Sequence, residues 1–129
     1  MGIDLINDIF NKQNELNACI KQLADYGMKL AQKEKDYKIC LRQEALKLRS
    51  EKGMPVTLIN QIVYGVPEVA EKRFQRDVAE TMYNTCQERI NTLKLQIRIL
   101  ESQVQREWGN SGKGNLWLLM IQEQKLMNK

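Results

Sequence analysis

The sequence predicts an all-α fold: an antiparallel hairpin of two long, coiled-coil-like helices, a short capping helix at the tip and a short C-terminal helix. Three observations carry this. Apolar residues recur at seven-residue spacing along two long arms. Both prolines, Pro55 and Pro67, lie between those arms. A glycine-rich stretch at 109–115 then separates the second arm from a final apolar segment. Heptad spacing marks a narrow seam along each helix, and proline-free arms let each helix run long.

In the first arm Ile9, Leu16, Leu23, Leu30 and Tyr37 form one seam position. Its companion carries Ile6, Gln13, Ile20, Gly27, Glu34, Leu41 and Leu48. The helix is predicted over about 4–52. Asp4 and Asp8 suit the positive end of the helix dipole, and Lys47, Arg49 and Lys52 the negative end. Gly53 supplies the stop. Such a helix is about 70 Å long at the α-helical rise. Gly27 costs it about 1 kcal/mol relative to Ala, and its seam position predicts a close crossing or a kink.

A short helix follows over about 56–64, started by Pro55 or Thr57 and ended by Gly65. Leu58, Ile59, Ile62 and Val63 give it an apolar face that would seal the seams at the tip. Pro67 and Glu68 then suit the first turn of a helix running to Trp108. In that arm Tyr83, Ile90, Ile97 and Val104 share one seam position, and Ala79, Cys86, Leu93 and Leu100 the other. Residues 1–108 thus read as one hairpin domain, with Trp108 closing its open end, 109–115 as a flexible joint and 116–129 as an amphipathic segment. Leu95 and Ile99 lie off the main seam and form a second strip that would receive this segment.

At 129 residues the chain has the length of one domain. A lone two-helix hairpin with narrow seams buries little apolar surface, so self-association is expected. Leu23, Leu30, Leu93 and Ile97 are the seam residues expected to carry it. Leu116, Trp117 and Met120 are expected to carry association through the C-terminal segment, whose six consecutive apolar residues are poorly suited to water. No apolar run approaches the ~18 residues needed to span a bilayer. The N-terminus lacks the basic region of a signal peptide, so the cytoplasm of the producing or host cell, without membrane contact, is the expected location.

Histidine is absent, which excludes Ser-His-Asp, Cys-His and His-based metal sites. Acidic residues are interleaved with basic ones along the helices, as in Glu34 with Lys38 and Glu68 with Lys72. That is the spacing of solvated i,i+4 pairs, not of carboxylates converging on a metal. Cys19, Cys40 and Cys86 are far apart in sequence and form no CxxC pair, so reduced thiols are expected. Residues 109–114 contain Gly112-Lys113 but lack the spacing and the Ser or Thr of a phosphate loop. The chain is expected to be no enzyme and to need no cofactor or metal.

The formal net charge is +4, and residues 29–52 alone carry eight basic and four acidic side chains. Lys35, Arg42 and Arg49 share one heptad position with Lys21, and Lys38 lies on the adjacent strip. Lys35 to Arg49 spans about 20 Å of helix. Lys72, Arg73 and Arg76 begin the second arm, at the same end of the predicted hairpin. Charges on an outer helix face ordinarily just solvate it. Gathered at one tip, they would also contact phosphates or an acidic partner.

The segment from about Glu44 to Trp108 carries an ordered set of short matches. These are Glu44-Ala45-Leu46 with Leu48-Arg49, then Gly53-Met54-Pro55-Val56-Thr57-Leu58-Ile59. Arg73-Phe74-Gln75-Arg76-Asp77-Val78-Ala79-Glu80 and Tyr83 follow, then Glu88, Ile90-Asn91, Lys94-Leu95, Arg98, Leu100-Glu101, Gln103 and Arg106-Glu107-Trp108. In these the chain resembles a family of small all-helical proteins of phages and prophages of Gram-positive bacteria. The resemblance covers about half of the chain and implies a setting among recombination, replication and early genes.

Together these readings predict a non-enzymatic interaction protein. Its partner would be a host or phage nucleic-acid-processing protein, from defence or recombination machinery, bound through helix faces. Direct, non-sequence-specific nucleic-acid binding through the basic tip is the alternative, and a structural coiled-coil spacer a third. The positive charge argues against mimicry of DNA, which needs a strongly acidic face.

Overall fold

The computed structural model describes residues 2–108 and 114–127, and the side chains of 3–108 and 120–127. The fold is all-α. Helix α1 spans Gly2–Lys52, α2 spans Val56–Ile62, α3 spans Pro67–Trp108 and α4 spans Gly114–Met127. A single 3-10 turn, Val63–Gly65, follows α2. The long helices α1 and α3 pack against each other as an antiparallel hairpin, with α2 and α4 as the short additions. The chain divides into two compact units: residues 1–22 with 87–129, and residues 23–86.

In the 23–86 unit, local chemistry sets the turn. Gly53 takes φ +60, the left-handed conformation that ends α1. The Met54 N–H then donates to the Leu48 carbonyl at 3.3 Å, and Arg49 Nη1 donates to the Met54 carbonyl at 3.0 Å. Pro55 is extended, at φ −61 and ψ 145, and its carbonyl accepts from the N–H groups of Leu58 and Ile59 at 3.1 and 3.0 Å. α2 therefore starts at Val56 and needs no side-chain cap. Its expected four-residue apolar face is only half covered. Ile59 and Val63 are buried with Tyr37 and Val69, against Leu41, Ala45 and Leu48 of α1. Leu58 and Ile62 are exposed, because helix α2 meets the hairpin along a single i,i+4 row.

Farther along this unit, an added Cβ at Gly27 would lie 3.4 Å from Tyr83 Cε2. The glycine gives room for a large ring on the facing helix. α1 runs as one helix through this position.

The other unit has its own core. Ile6, Ile9, Ile97, Val104 and Ile121 form a buried cluster, with Leu5, Phe10, Leu16, Leu100 and Trp108 packed on it. Leu93 is also fully buried. Each large side chain removed from water contributes about 1.5–3 kcal/mol. Ile121 places α4 on this cluster, whereas the strip expected to receive it, Leu95 and Ile99, stays exposed. The cause is geometric: the α4 apolar residue fits the row already opened by Ile97 and Val104 on α3 and by Ile6 and Ile9 on α1. Of the expected joint, residues 109–113 lie outside the described residues, and α4 already includes Gly114 and Asn115.

Candidate interaction surfaces

All seven residues of the expected basic tip belong to the 23–86 unit, but they differ in what they touch. Arg76 is largely enclosed, with a side chain 20% exposed. Its Nη1 donates to Glu34 at 3.2 Å, its Nε donates to Asp77 at 2.8 Å, and its guanidinium lies 4.9 Å from the centre of the Tyr37 ring. These hydrogen bonds, to Glu34 first and then Asp77, raise its pKa above the ordinary arginine value. Arg49 serves the turn through the Met54 carbonyl. Lys38 pairs with Glu34 at 3.7 Å. Lys35, Arg42 and Arg73 are exposed and Lys72 half-buried, and none of the four makes an ion pair among the described residues. At the end of α1, a hydrogen bond from Lys47 to Glu44 at 3.3 Å raises the lysine pKa. The tip is thus partly an internal network, with Lys35, Arg42 and Arg73 presented to solvent.

The expected association residues also separate. Leu93 and Ile97 are buried within the chain, and Leu23 and Leu30 are half-buried. A second copy could reach Leu93 or Ile97 only by opening the hairpin. Met120 is exposed. The side chains of Leu116 and Trp117 lie outside the described residues.

Each unit carries a groove that bears on binding. In the 23–86 unit, Tyr26, Lys29 and Lys33 of α1 face Phe74, Val78 and Met82 of α3 across a groove of about 330 Å³. Phe74, Val78 and Met82 are 62, 46 and 45% exposed and repeat at i, i+4 and i+8. They form one apolar strip on one side of α3. The Lys29 ammonium lies 5.7 Å from the centre of the Tyr26 ring, a weak cation–π contact at the rim. This strip was missed because its residues fall outside the heptad seam. Their own i,i+4 spacing was the available signal.

In the other unit, a groove of about 780 Å³ runs between α1 and α3, with α4 at its edge. Leu16, Ile20 and Ile97 supply its apolar lining, and Lys21, Lys94, Arg98 and Lys125 its cations. Glu101 is the acidic residue of this lining. Ile20, a seam residue in the sequence, is 47% exposed. The facing wall presents Lys94 and Arg98 at its surface, with Ile97 buried in the core between them. Lys21, the α3 pair Lys94 and Arg98, and Lys125 lie in three separate stretches of the chain, so only folding gathers them.

Among the described residues no cluster of three or more Cys, Asp or Glu side chains could hold a metal ion, and no helix is long and apolar enough to cross a membrane. Cys19 and Cys40 are half-buried and Cys86 is buried, and none of the three forms a disulfide. No protein-family model matches this chain, and no curated protein or solved structure is significantly similar to it.

Proposed function

We propose that this chain is a non-enzymatic interaction protein that binds a protein partner through the faces of its long helices. The observation that carries the reading is the exposed strip Phe74, Val78 and Met82, set opposite Tyr26 across an apolar groove. Three large apolar side chains at consecutive turns of one helix are costly to leave in water. Contiguous patches of this kind mark interaction sites. The resemblance to phage and prophage proteins supports a partner among host or phage nucleic-acid-processing proteins, in the bacterial cytoplasm.

The test is retention of a partner by tagged protein from infected cells, identified by mass spectrometry and rebuilt from purified components. Val78→Asp places a charge in the strip on an exposed residue. It should abolish retention while leaving helicity and thermal midpoint close to wild type. Retention unchanged by Val78→Asp would remove the strip from the interface.

Direct nucleic-acid binding is the second reading, favoured by the unpaired Lys35, Arg42 and Arg73. It predicts salt-dependent retention of DNA or RNA that falls when these three become Gln. No retention at low salt would end it.

A further inference from the structure

We infer that the cationic groove of the unit formed by residues 1–22 and 87–129 is a docking site for an acidic amphipathic α-helix. Both walls are helix faces. On α1 the lining residues Leu16, Ile20 and Lys21 fall at the spacing of one face, and on α3 Lys94, Ile97 and Arg98 do the same. A groove between two antiparallel helices is the place where a third helix packs, ridge into groove. The α1 wall from Gln13 to Lys21 is about 12 Å long at the α-helical rise, two to three turns of a bound helix.

Chemistry selects the occupant. Four cations face one carboxylate, Glu101, across the lining. None of Lys21, Lys94, Arg98 and Lys125 makes an ion pair among the described residues. All four are exposed and open to anionic partners from outside. Ile20, 47% exposed, supplies the open apolar surface of the lining beside half-buried Leu16, with Ile97 already buried in the core beneath them. An amphipathic helix with a Leu or Ile ridge flanked by Asp and Glu suits both surfaces at once. A nucleic-acid strand suits only the first. Single-strand sites place aromatic rings under the bases, and this lining has no aromatic residue. The cations would steer encounter and fix the orientation of the bound helix, and the apolar residues would hold it. This site is separate from the Phe74–Val78–Met82 strip and does not depend on it.

The test uses the full-length protein and a fluorescein-labelled synthetic peptide. The peptide is sixteen residues long, with Leu at i, i+3, i+4 and i+7 and Glu beside them. Fluorescence anisotropy at 50 and 300 mM NaCl reads its affinity. The expected result is saturable binding that weakens with salt and weakens about tenfold or more in Lys94→Glu/Arg98→Glu, where charge complementarity is reversed. Ile20→Ser, at an exposed position, should weaken binding severalfold at both salt concentrations. Val78→Asp should leave it unchanged, so that failure here and failure of the α3 strip are told apart. Circular dichroism checks that each variant remains folded. No binding overturns the inference. So does equal binding of a peptide with the same composition and scrambled order. So does a labelled dT20 strand that binds more tightly than the peptide and is lost in the same double variant.

Discussion

Arg76 of α3 reaches across to Glu34 of α1, at 3.2 Å, with its guanidinium over the Tyr37 ring. The three groups act as one cross-helix clamp, because the ring closes one side of a cation already held by carboxylates. A partly exposed ion pair contributes about 0.2–1 kcal/mol, and a cation–π contact about 0.5–2 kcal/mol. Arg76→Ala should therefore destabilise the protein by about 1–2 kcal/mol in urea unfolding. Arg76→Lys should recover only part of the loss, since an ammonium cannot span carboxylate and ring in the same plane. Raised in the fold, the Arg76 pKa gives a contribution that is complete below the unfolded value and lost only as pH rises through the folded one. The loss caused by Arg76→Ala should then be the same at pH 6 and pH 9. A variant as stable as wild type would show that the clamp does not hold the helices together.

Gly27 and Tyr83 make the second cross-helix relationship in the same unit. An alanine Cβ at Gly27 would meet the Tyr83 ring edge at 3.4 Å, ordinary contact. Replacing Gly by Ala in a helix interior contributes about 1 kcal/mol. Gly27→Ala should raise stability by about 0.5–1 kcal/mol, whereas Gly27→Leu should lower it by overpacking the ring. Thermal unfolding of both variants reads the sign. A destabilised Gly27→Ala would mean that the two helices need a closer approach than an alanine allows.

Legibility in the sequence followed how local the determining physics is. Gly53, Pro55 and Pro67 act within a few residues of themselves, and α1, α2 and α3 end or begin beside them. The buried seam residues Ile9, Tyr37, Ile90, Ile97 and Val104 also followed, because a seven-residue repeat keeps one row against the partner helix. Ile20 did not. Whether a seam residue is covered depends on what the facing helix presents, and the α3 wall of this groove presents Lys94 and Arg98 at its surface with Ile97 buried in the core. Ile121 did not for the same reason: its burial depends on a row contributed by α1 and α3 together. The cationic groove drew on both failures. Its lining is scattered through the chain and carries no motif.

Gln96 provides a test of buried polarity. Its Oε1 is buried with no hydrogen-bond donor among the described residues. A buried acceptor left unpaired costs about 1–3 kcal/mol. Gln96→Leu should therefore stabilise the protein by about 1 kcal/mol, a rise of several degrees in thermal midpoint for a chain of this size. Gln96→Glu should destabilise it, because a carboxylate is costlier still to bury. If Gln96→Leu is instead destabilising, the amide makes a contact worth more than its desolvation.

Ile121 decides whether α4 belongs to the hairpin core or is only an appendage for association. Its side chain is buried among Ile6, Ile9, Ile97 and Val104, whereas Leu126 and Met127, a turn and more beyond it, are exposed. Truncating a buried Ile to Ala removes its transfer free energy and leaves a cavity, a loss of about 2–5 kcal/mol. Ile121→Ala should therefore lower the urea midpoint sharply, and Leu126→Ala should scarcely move it. Ending the chain at Trp108 should cost at least as much as Ile121→Ala, because it uncovers Ile97 and Val104 to water as well as removing Ile121. Equal and negligible effects of Ile121→Ala and Leu126→Ala would return α4 to the role of a docking element. A large loss confined to Ile121→Ala makes it part of the core, and leaves Leu126 and Met127 as the outward apolar residues at the end of α4.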